Sequence, residues 1–416
     1  MSRERIPPIW ILALPWLTFG MLTGFIIVTV PQLLAPQGNS GGRIAIAVAV
    51  ILSPMFWNFV FAPLIDVGFQ RRTYALFFGV LAVAVTALTV IHHAAIGQVE
   101  IMMLGAFLSG CMFQSAIGGW VGSLVEKEQD SPLGAWSTIY NICGGGAGIL
   151  ISGSATRNLL PGPAAALIFA TFLAPLLVIP WVPTVPPGAT RVHESVGRFS
   201  RDLVALLKRS DVVVALCLFA LPSASFALSN TLGSWSGAFH ATPAFVSRIS
   251  GVGLILGGIV GCALVPLMAR RLPLRPLYLA IGCVGALFTL SLLLLPRVST
   301  TFALAFVGET FFSSAAIATG AAVIFEVIGP GNSLAATTYA LLIAAMNLPI
   351  DYMEFIDARG YDWRGIGGAF VTDALISGSA CALLAVVFRR RLLPARRVRS
   401  GAQERAAGRQ VRGSAD

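Results

Sequence analysis

The sequence predicts an all-α membrane protein of twelve transmembrane helices, arranged as two parallel six-helix repeats. Three observations lead there. The chain has 416 residues, of which 56% are hydrophobic and only 11% charged, too little charge to cover a water-soluble protein of this length. The apolar residues gather in stretches of mostly ~20 residues, enough to cross ~30 Å of hydrocarbon at ~1.5 Å per residue. Only a helix can satisfy the backbone of such a stretch in lipid without a neighbouring strand. Finally, short matches recur in the same order. LPWLTF at 14–19 returns as LPSASF at 221–226. Pro63-Leu64, a basic loop and Tyr74 return as Pro266-Leu267, a basic loop and Tyr278. Gly118 to Glu126 returns as Ala318 to Glu326. Each match is short, but their shared order and nearly constant offset of about 200 residues mark an internal parallel repeat.

The expected spans of the first half are 10–34, 43–65, 74–94, 99–124, 134–156 and 164–183. Those of the second half are 212–236, 247–268, 276–295, 301–325, 334–356 and 365–388. Residues 1–184 then form the first bundle, 185–211 a linker, 212–388 the second bundle and 389–416 a basic tail. The first span follows Arg3 and Arg5 as a signal peptide would. It is longer than a signal core and has further spans behind it, so it is expected to be retained. Pro183, Pro186 and Pro187 end the sixth span. In 198–211, Phe199, Leu203, Leu206 and Leu207 share one helical face, and Arg198, Arg201, Lys208 and Arg209 fall largely on the other. This is the pattern of an amphipathic connector at the membrane surface. The six cysteines fall inside spans without a CxxC pair and read as small buried apolar residues.

With twelve spans both ends lie on one side. Of the 28 Lys and Arg, 22 fall on that side; Arg43, Arg157, Arg248, Arg297, Arg359 and Arg364 fall on the other. The positive-inside rule therefore puts both termini in the cytoplasm, as in a multi-pass protein of the cell's inner membrane. The net charge of +10 concerns topology, and the expected partner of the basic tail is the anionic headgroup layer of membrane lipids. No zinc-ligand spacing, phosphate loop or aromatic-interleaved basic patch occurs. Neither a metal, a cofactor nor a nucleic-acid partner is expected, and the chain is expected to work as a monomer.

The loop between spans 2 and 3 reads APLIDVGFQRRTYAL at 62–76. Asp66 ends one helix, where the helix dipole disfavours an acid, so its role must be set by a partner. The loop resembles the G-x-L-A-D-R-x-G-R-R signature of the major facilitator superfamily. Leu64, Asp66, Gly68 and the arginine pair are kept, with one residue inserted before the pair and Ala62 and Val67 departing from it. The resemblance implies a conformational clamp between the two halves, built on Asp66, Arg71 and Arg72. The second copy has Arg270, Arg271 and Arg275 but no acid. Span 5 holds Gly144, Gly145, Gly146, Gly148 and Gly153, which permit close backbone approach and bending in a membrane. It lacks the Gly-Pro of the superfamily's antiporter signature, which favours symport or facilitated transport over drug efflux. The run at 116–148 resembles the AmpG-type permease and acetyl-CoA transporter branch, on Gly118, Gly119, Glu126, Tyr140, Asn141 and Gly144 to Gly146. Members of that branch import muropeptides with protons, and relatives carry siderophores or acetyl-CoA.

Acids inside spans cost at least ~2.5–3.5 kcal/mol each and mark function by default. The first half has none away from its span ends. The second has Glu309, Asp351, Glu354 and Asp373, with no mid-span Lys or Arg to neutralise them. Such a set should not all stay ionised, which is what proton coupling requires. Glu309 is the first choice as proton carrier and Asp373 the second. Asp351 and Glu354 share a face with Asn347 and either join them or sit at the water interface. His92, His93 and His240 lie near span ends and read as interfacial. The polar residues expected to line a substrate path are Thr18 and Thr23 in span 1, Gln114 in span 4, Tyr140 and Asn141 in span 5, Ser225 and Asn230 in span 7 and Asn347 in span 11.

The function expected from these residues is proton-coupled uptake of a small polar or amphipathic solute by alternating access. An anionic muropeptide should want a buried cation, and only Arg43, Arg157, Arg248 and Arg364, near the outer mouth, are available. An efflux pump is the alternative within transport, and a transport-dead sensor the alternative outside it. A membrane enzyme should show a nucleophile, metal-ligand or phosphate constellation, and none is apparent.

Overall fold

A computed structural model describes residues 7–37, 41–66, 69–183, 204, 206–233, 235–329, 332 and 334–389. Among them the chain is helical throughout, with no strand. Twelve helical segments follow one another: α1 (Ile9–Leu34), α2 (41–64), α3 (Arg71–Ile91), α4 (Ile96–Gly122), α5 (Asp130–Asn158), α6 (Pro161–Trp181), α7 (210–239), α8 (Pro243–Ala269), α9 (Leu274–Leu294), α10 (Ser299–Ile328), α11 (335–363) and α12 (366–387). α1–α6 make one half and α7–α12 the other, and they meet where α5 packs on α8 and α10 and where α4 packs on α11. Ile101, Leu150, Leu160, Leu294 and Val386 point outward and are mostly exposed, an exterior that suits hydrocarbon and not water. With continuous helices long and apolar enough to cross a bilayer, the chain is a multi-pass membrane protein.

Small residues set the closest contacts, because lipid gives helices no hydrophobic reason to associate. Gly20 and Gly24 of α1 lie against the backbone of Asn141 and Gly145 in α5, and Gly144 and Gly148 lie against the backbone of Leu17 and Met21. A Cβ at any of these four would overlap main-chain atoms. Thr29 and Ser152 extend the seam with a 2.5 Å hydroxyl–hydroxyl hydrogen bond. Gly146 has open space beside it, so the glycine run is only partly a packing device.

The repeated sequences differ in conformation. Leu14-Pro15 forms a short turn inside α1, whereas LPSASF interrupts α7, expected as one span over 212–236. The helix stops at Ala220 and resumes at Leu228, with Phe226 left-handed at φ 48°. The freed carbonyls find donors: Tyr352 Oη donates to Ala220 O at 2.8 Å, Ser223 Oγ to Leu218 O at 3.0 Å and Cys381 Sγ to Ser223 O at 2.9 Å. That is the condition for a break at membrane depth. α11 also departs from expectation. It runs past 356 to a break at Arg364 and Gly365, where Gly365 takes φ 61°. Residues placed in an outer loop, Asp357 among them, therefore belong to the bundle.

All six cysteines are unpaired. Of the predicted linker, only Val204 and residues 206–211 are described; Leu206 is buried while Leu207, expected on the same face, is exposed. Arg3, Arg5, Phe199, Leu203, Arg198, Arg201 and the tail after Arg389 lie outside the described residues.

The α1–α5 seam gives a direct test. Gly148→Leu should lower the melting temperature of the detergent-purified protein, by roughly 1–3 kcal/mol of overpacking or more. Gly146→Ala should leave it unchanged.

Candidate functional site

A cavity of about 210 Å³ lies between the halves. α1 contributes Trp16 and Phe19, α4 Gln114, α5 Ser137, Thr138 and Asn141, α7 Ser225, α9 Tyr278, and α11 Tyr339, Asn347 and Ile350. The wall thus mixes aromatic faces with amides and hydroxyls, and among the described residues holds no carboxylate, ammonium or guanidinium. Four of the eight expected lining residues are on it: Gln114, Asn141, Ser225 and Asn347. The others are turned elsewhere. Thr18 donates to Phe172 O of α6 at 2.9 Å, and Thr23 bonds back to Phe19 O at 3.0 Å. Tyr140 stacks on Trp136 at 5.6 Å, and Asn230 donates to Glu354 at 2.8 Å. Trp16, Tyr278 and Tyr339 were missed, because a lone aromatic in an apolar stretch reads equally as core or as lipid-facing. Their helical neighbours, Phe19 one turn after Trp16 and Ile343 and Asn347 one and two turns after Tyr339, carried the available signal.

Below the cavity, toward the arginine-rich face, two layers join the halves. In the first, Trp16 Nε1 donates to Tyr339 Oη at 3.3 Å, and Phe325 packs edge-on to Trp16 and stacked on Tyr339. Gly118 leaves room for the Tyr339 ring; Gly119 meets the backbone of Ala335 and Ala336; Gly134 meets that of Ala318 and Ala322. In the second, Asp66 sits at the N-terminus of α11, its side chain 1% exposed. It accepts hydrogen bonds from Ala336 N (3.1 Å), Thr337 N (2.9 Å) and Thr337 Oγ1 (2.7 Å). Those backbone donors have no partner within their own helix, and the helix dipole favours an anion there. The acid that was badly placed at the end of its own helix is thus well placed at the start of another. Arg71 bonds Asp66 at 2.9 Å and donates to Asn332 O at 2.9 Å. Arg72 instead donates to Pro180 O within its own half, at 3.2 Å. Burial pushes the Asp66 carboxyl above the usual carboxylate range, while Arg71 and the Thr337 and Ala336 donors pull it back.

The acids of the second half lie off the cavity wall. Glu309 is 0% and Asp373 3% exposed. Thr289 Oγ1 lies 2.6 Å from Glu309 Oε1, while Glu309 Oε2 and Asp373 Oδ1 have no hydrogen-bond partner. Asp351 is exposed and Glu354 half-buried. Asp357, unassigned from the sequence, is 0% exposed with both oxygens bare. Ending span 11 at 356 put it in water; its position three residues after Glu354, continuing the Asn347–Asp351–Glu354 face, was the signal that it stays in the helix. At the opposite face Arg43 is paired with Glu100. Arg157 donates to Gly153 O at 2.8 Å beside a separate recess shared with Gln32, His93 and Thr156. Among the described residues, no group of His, Cys, Asp and Glu is arranged to hold a metal ion.

No family model matches the sequence, and no curated protein matches it. Solved structures do match the fold. The proton:xylose symporter XylE of the major facilitator superfamily aligns over 92% of this chain and 95% of its own, with a TM-score of 0.67 and 14% identity. The human organic anion transporter MFSD10 aligns over 91% and 100%, at 0.67 and 16%. The E. coli fucose:proton symporter FucP aligns over 93% and 99%, at 0.66 and 14%. The chain has the twelve-helix, two-repeat major-facilitator fold.

Proposed function

We propose that the protein is a secondary transporter that carries a small, uncharged polar or amphipathic solute by alternating access, coupled to protons. One observation carries the reading: a solute-sized cavity lies between two six-helix halves, and the contacts that seal its arginine-rich side run from one half to the other. Rocking the halves apart would break those contacts and open the cavity to that side. The arginine distribution makes that side the cytoplasm, in an inner-membrane protein with both termini inside. The uncharged wall supports an uncharged solute, since a buried charge without a partner costs several kcal/mol. An anionic muropeptide, the cargo suggested by the AmpG-type resemblance, finds no cation there. The buried acids Glu309 and Asp373, which form no ion pair among the described residues, support proton coupling, and XylE and FucP are themselves proton symporters.

Three outcomes test this. In a thermal-shift panel on purified protein, neutral polyhydroxy solutes should raise the melting temperature, by about 2.7 kcal/mol of stabilisation at a hundredfold excess over Kd. Muropeptides, siderophores and acyl-CoA should not. Once a solute is found, Glu309→Gln should abolish uptake driven by a pH gradient and leave counterflow exchange intact; uphill uptake at the wild-type level would sink the assignment. For the rocking motion, Asp66→Ala removes a charged acceptor from three donors across the halves, about 1.5–3 kcal/mol for each such bond. In a Ser137→Cys background it should raise thiol labelling from the arginine-rich face at least several-fold. Unchanged labelling would mean that Asp66 does not hold that side shut.

A further inference from the structure

We infer that Glu309, Asp357 and Asp373 form one proton-exchanging cluster inside the second half, separate from the solute cavity, with Glu354 and Asn230 as its port to water. This rests on the coupled-transport reading above and adds to it a third carrier and a route. The three carboxyls come from α10, α11 and α12, are essentially unexposed, and lie close enough to repel one another. Glu309 Oε2, both oxygens of Asp357 and Asp373 Oδ1 have no hydrogen-bond partner. Three carboxylates left in that condition would be far costlier than three carboxylic acids.

Among the described residues, no cation forms an ion pair with the cluster. α9 offers the Thr289 hydroxyl. α12 offers Ser377, one turn beyond Asp373 and buried without a hydrogen-bond partner. α11 offers Glu354 and, farther out, Asp351, Tyr361 and Asp362. Arg359 lies over the Phe355 ring at 5.1 Å and Arg364 over Trp363 at 4.5 Å. Arg297 approaches α12 at Gly367. Among the described residues none of these cations, nor His240 at the same edge, forms an ion pair with the cluster.

A hydrogen count points the same way independently. Thr289 Oγ1 has two oxygen neighbours, Gly285 O at 3.1 Å and Glu309 Oε1 at 2.6 Å. Its hydroxyl holds one hydrogen, and a carbonyl can only accept. Both contacts are satisfied when Thr289 donates to Gly285 O and a protonated Glu309 donates to Thr289. That arrangement places a proton on Glu309 while the arginine-rich face is closed.

The route follows α11. Asn230 is exposed and bonds Glu354 at 2.8 Å. Asp357 lies three residues beyond Glu354 on the same helical face and interacts electrostatically with Glu354, Glu309 and Asp373. A proton leaves water at the opposite face, binds the Glu354 carboxylate, passes to Asp357 and then to Glu309 or Asp373. Only O–H bonds form and break, and no electrons are exchanged. α11 also carries Asn347 and Ile350 on the cavity wall, two turns or less from the port, so loading and solute occupancy act on one rigid element.

The test needs no solute. Full-length protein in liposomes is titrated while the carbonyl stretch of protonated carboxyl groups is followed by infrared difference spectroscopy. Glu309→Gln, Asp357→Asn and Asp373→Asn should each remove one buried band and move the titration of the remaining two. Asp357→Glu should restore the pattern, which separates loss of the carboxyl from loss of the fold. Glu354→Gln should keep all three bands and slow their hydrogen–deuterium exchange by roughly tenfold or more, for want of an acceptor along an apolar path. Glu309 and Asp373 bands that titrate unchanged in Asp357→Asn, or exchange that is equally fast in Glu354→Gln, would overturn the proposal. If the bands behave as expected and Glu309→Gln still accumulates solute uphill, the cluster stands and the coupled-transport reading falls.

Discussion

Hydrocarbon solvates no polar group, and the features described here follow from that constraint. It forces the chain into helices, and it requires donors for each carbonyl freed where a helix breaks. At the LPSASF interruption Tyr352, Ser223 and Cys381 supply them. It also removes the hydrophobic drive between helices, so α1 and α5 are held by backbone contact at Gly20, Gly24, Gly144 and Gly148. Against that background, four bare carboxyl oxygens on Glu309, Asp357 and Asp373 are the departure that calls for a function.

The same constraint explains the placement of Asp66. An acid at the C-terminal end of α2 would be unfavourable alone. Set on the free N–H groups that open α11, it satisfies donors that would otherwise be buried unpaired. α11 then runs from this contact past Tyr339, Asn347 and Ile350 on the cavity to Glu354 and Asp357 in the acid cluster. One helix therefore touches the Asp66 contact, the cavity and the carboxyls, which is the physical basis for linking them.

The duplicated halves use the same positions differently. In the first copy the loop acid reaches across to the other half. In the second, Arg275 lies 3.5 Å from Glu326, within its own half. The carboxylate on the N-terminus of α11 thus comes from the first copy, while Glu309, Asp357 and Asp373 lie within the second.

The sequence by itself determined the helical class, the repeat and the presence of mid-span acids in only one half, because composition, span length and short-range order depend on local chemistry alone. It also marked Asp66 as needing a partner, and Gln114, Asn141, Ser225 and Asn347 as polar groups in apolar stretches. Which way a side chain turns depends on the rotation of each helix against its neighbours, and local periodicity leaves that open in a helix apolar all round. Tertiary packing therefore decided that Thr18 faces α6, that Tyr140 stacks on Trp136 and that Trp16 and Tyr339 floor the cavity. It also decided that α11 continues beyond 356. Charged residues at 357–364 read as an outer loop, yet packing against α12 keeps that stretch helical and brings Asp357 beside Glu309 and Asp373.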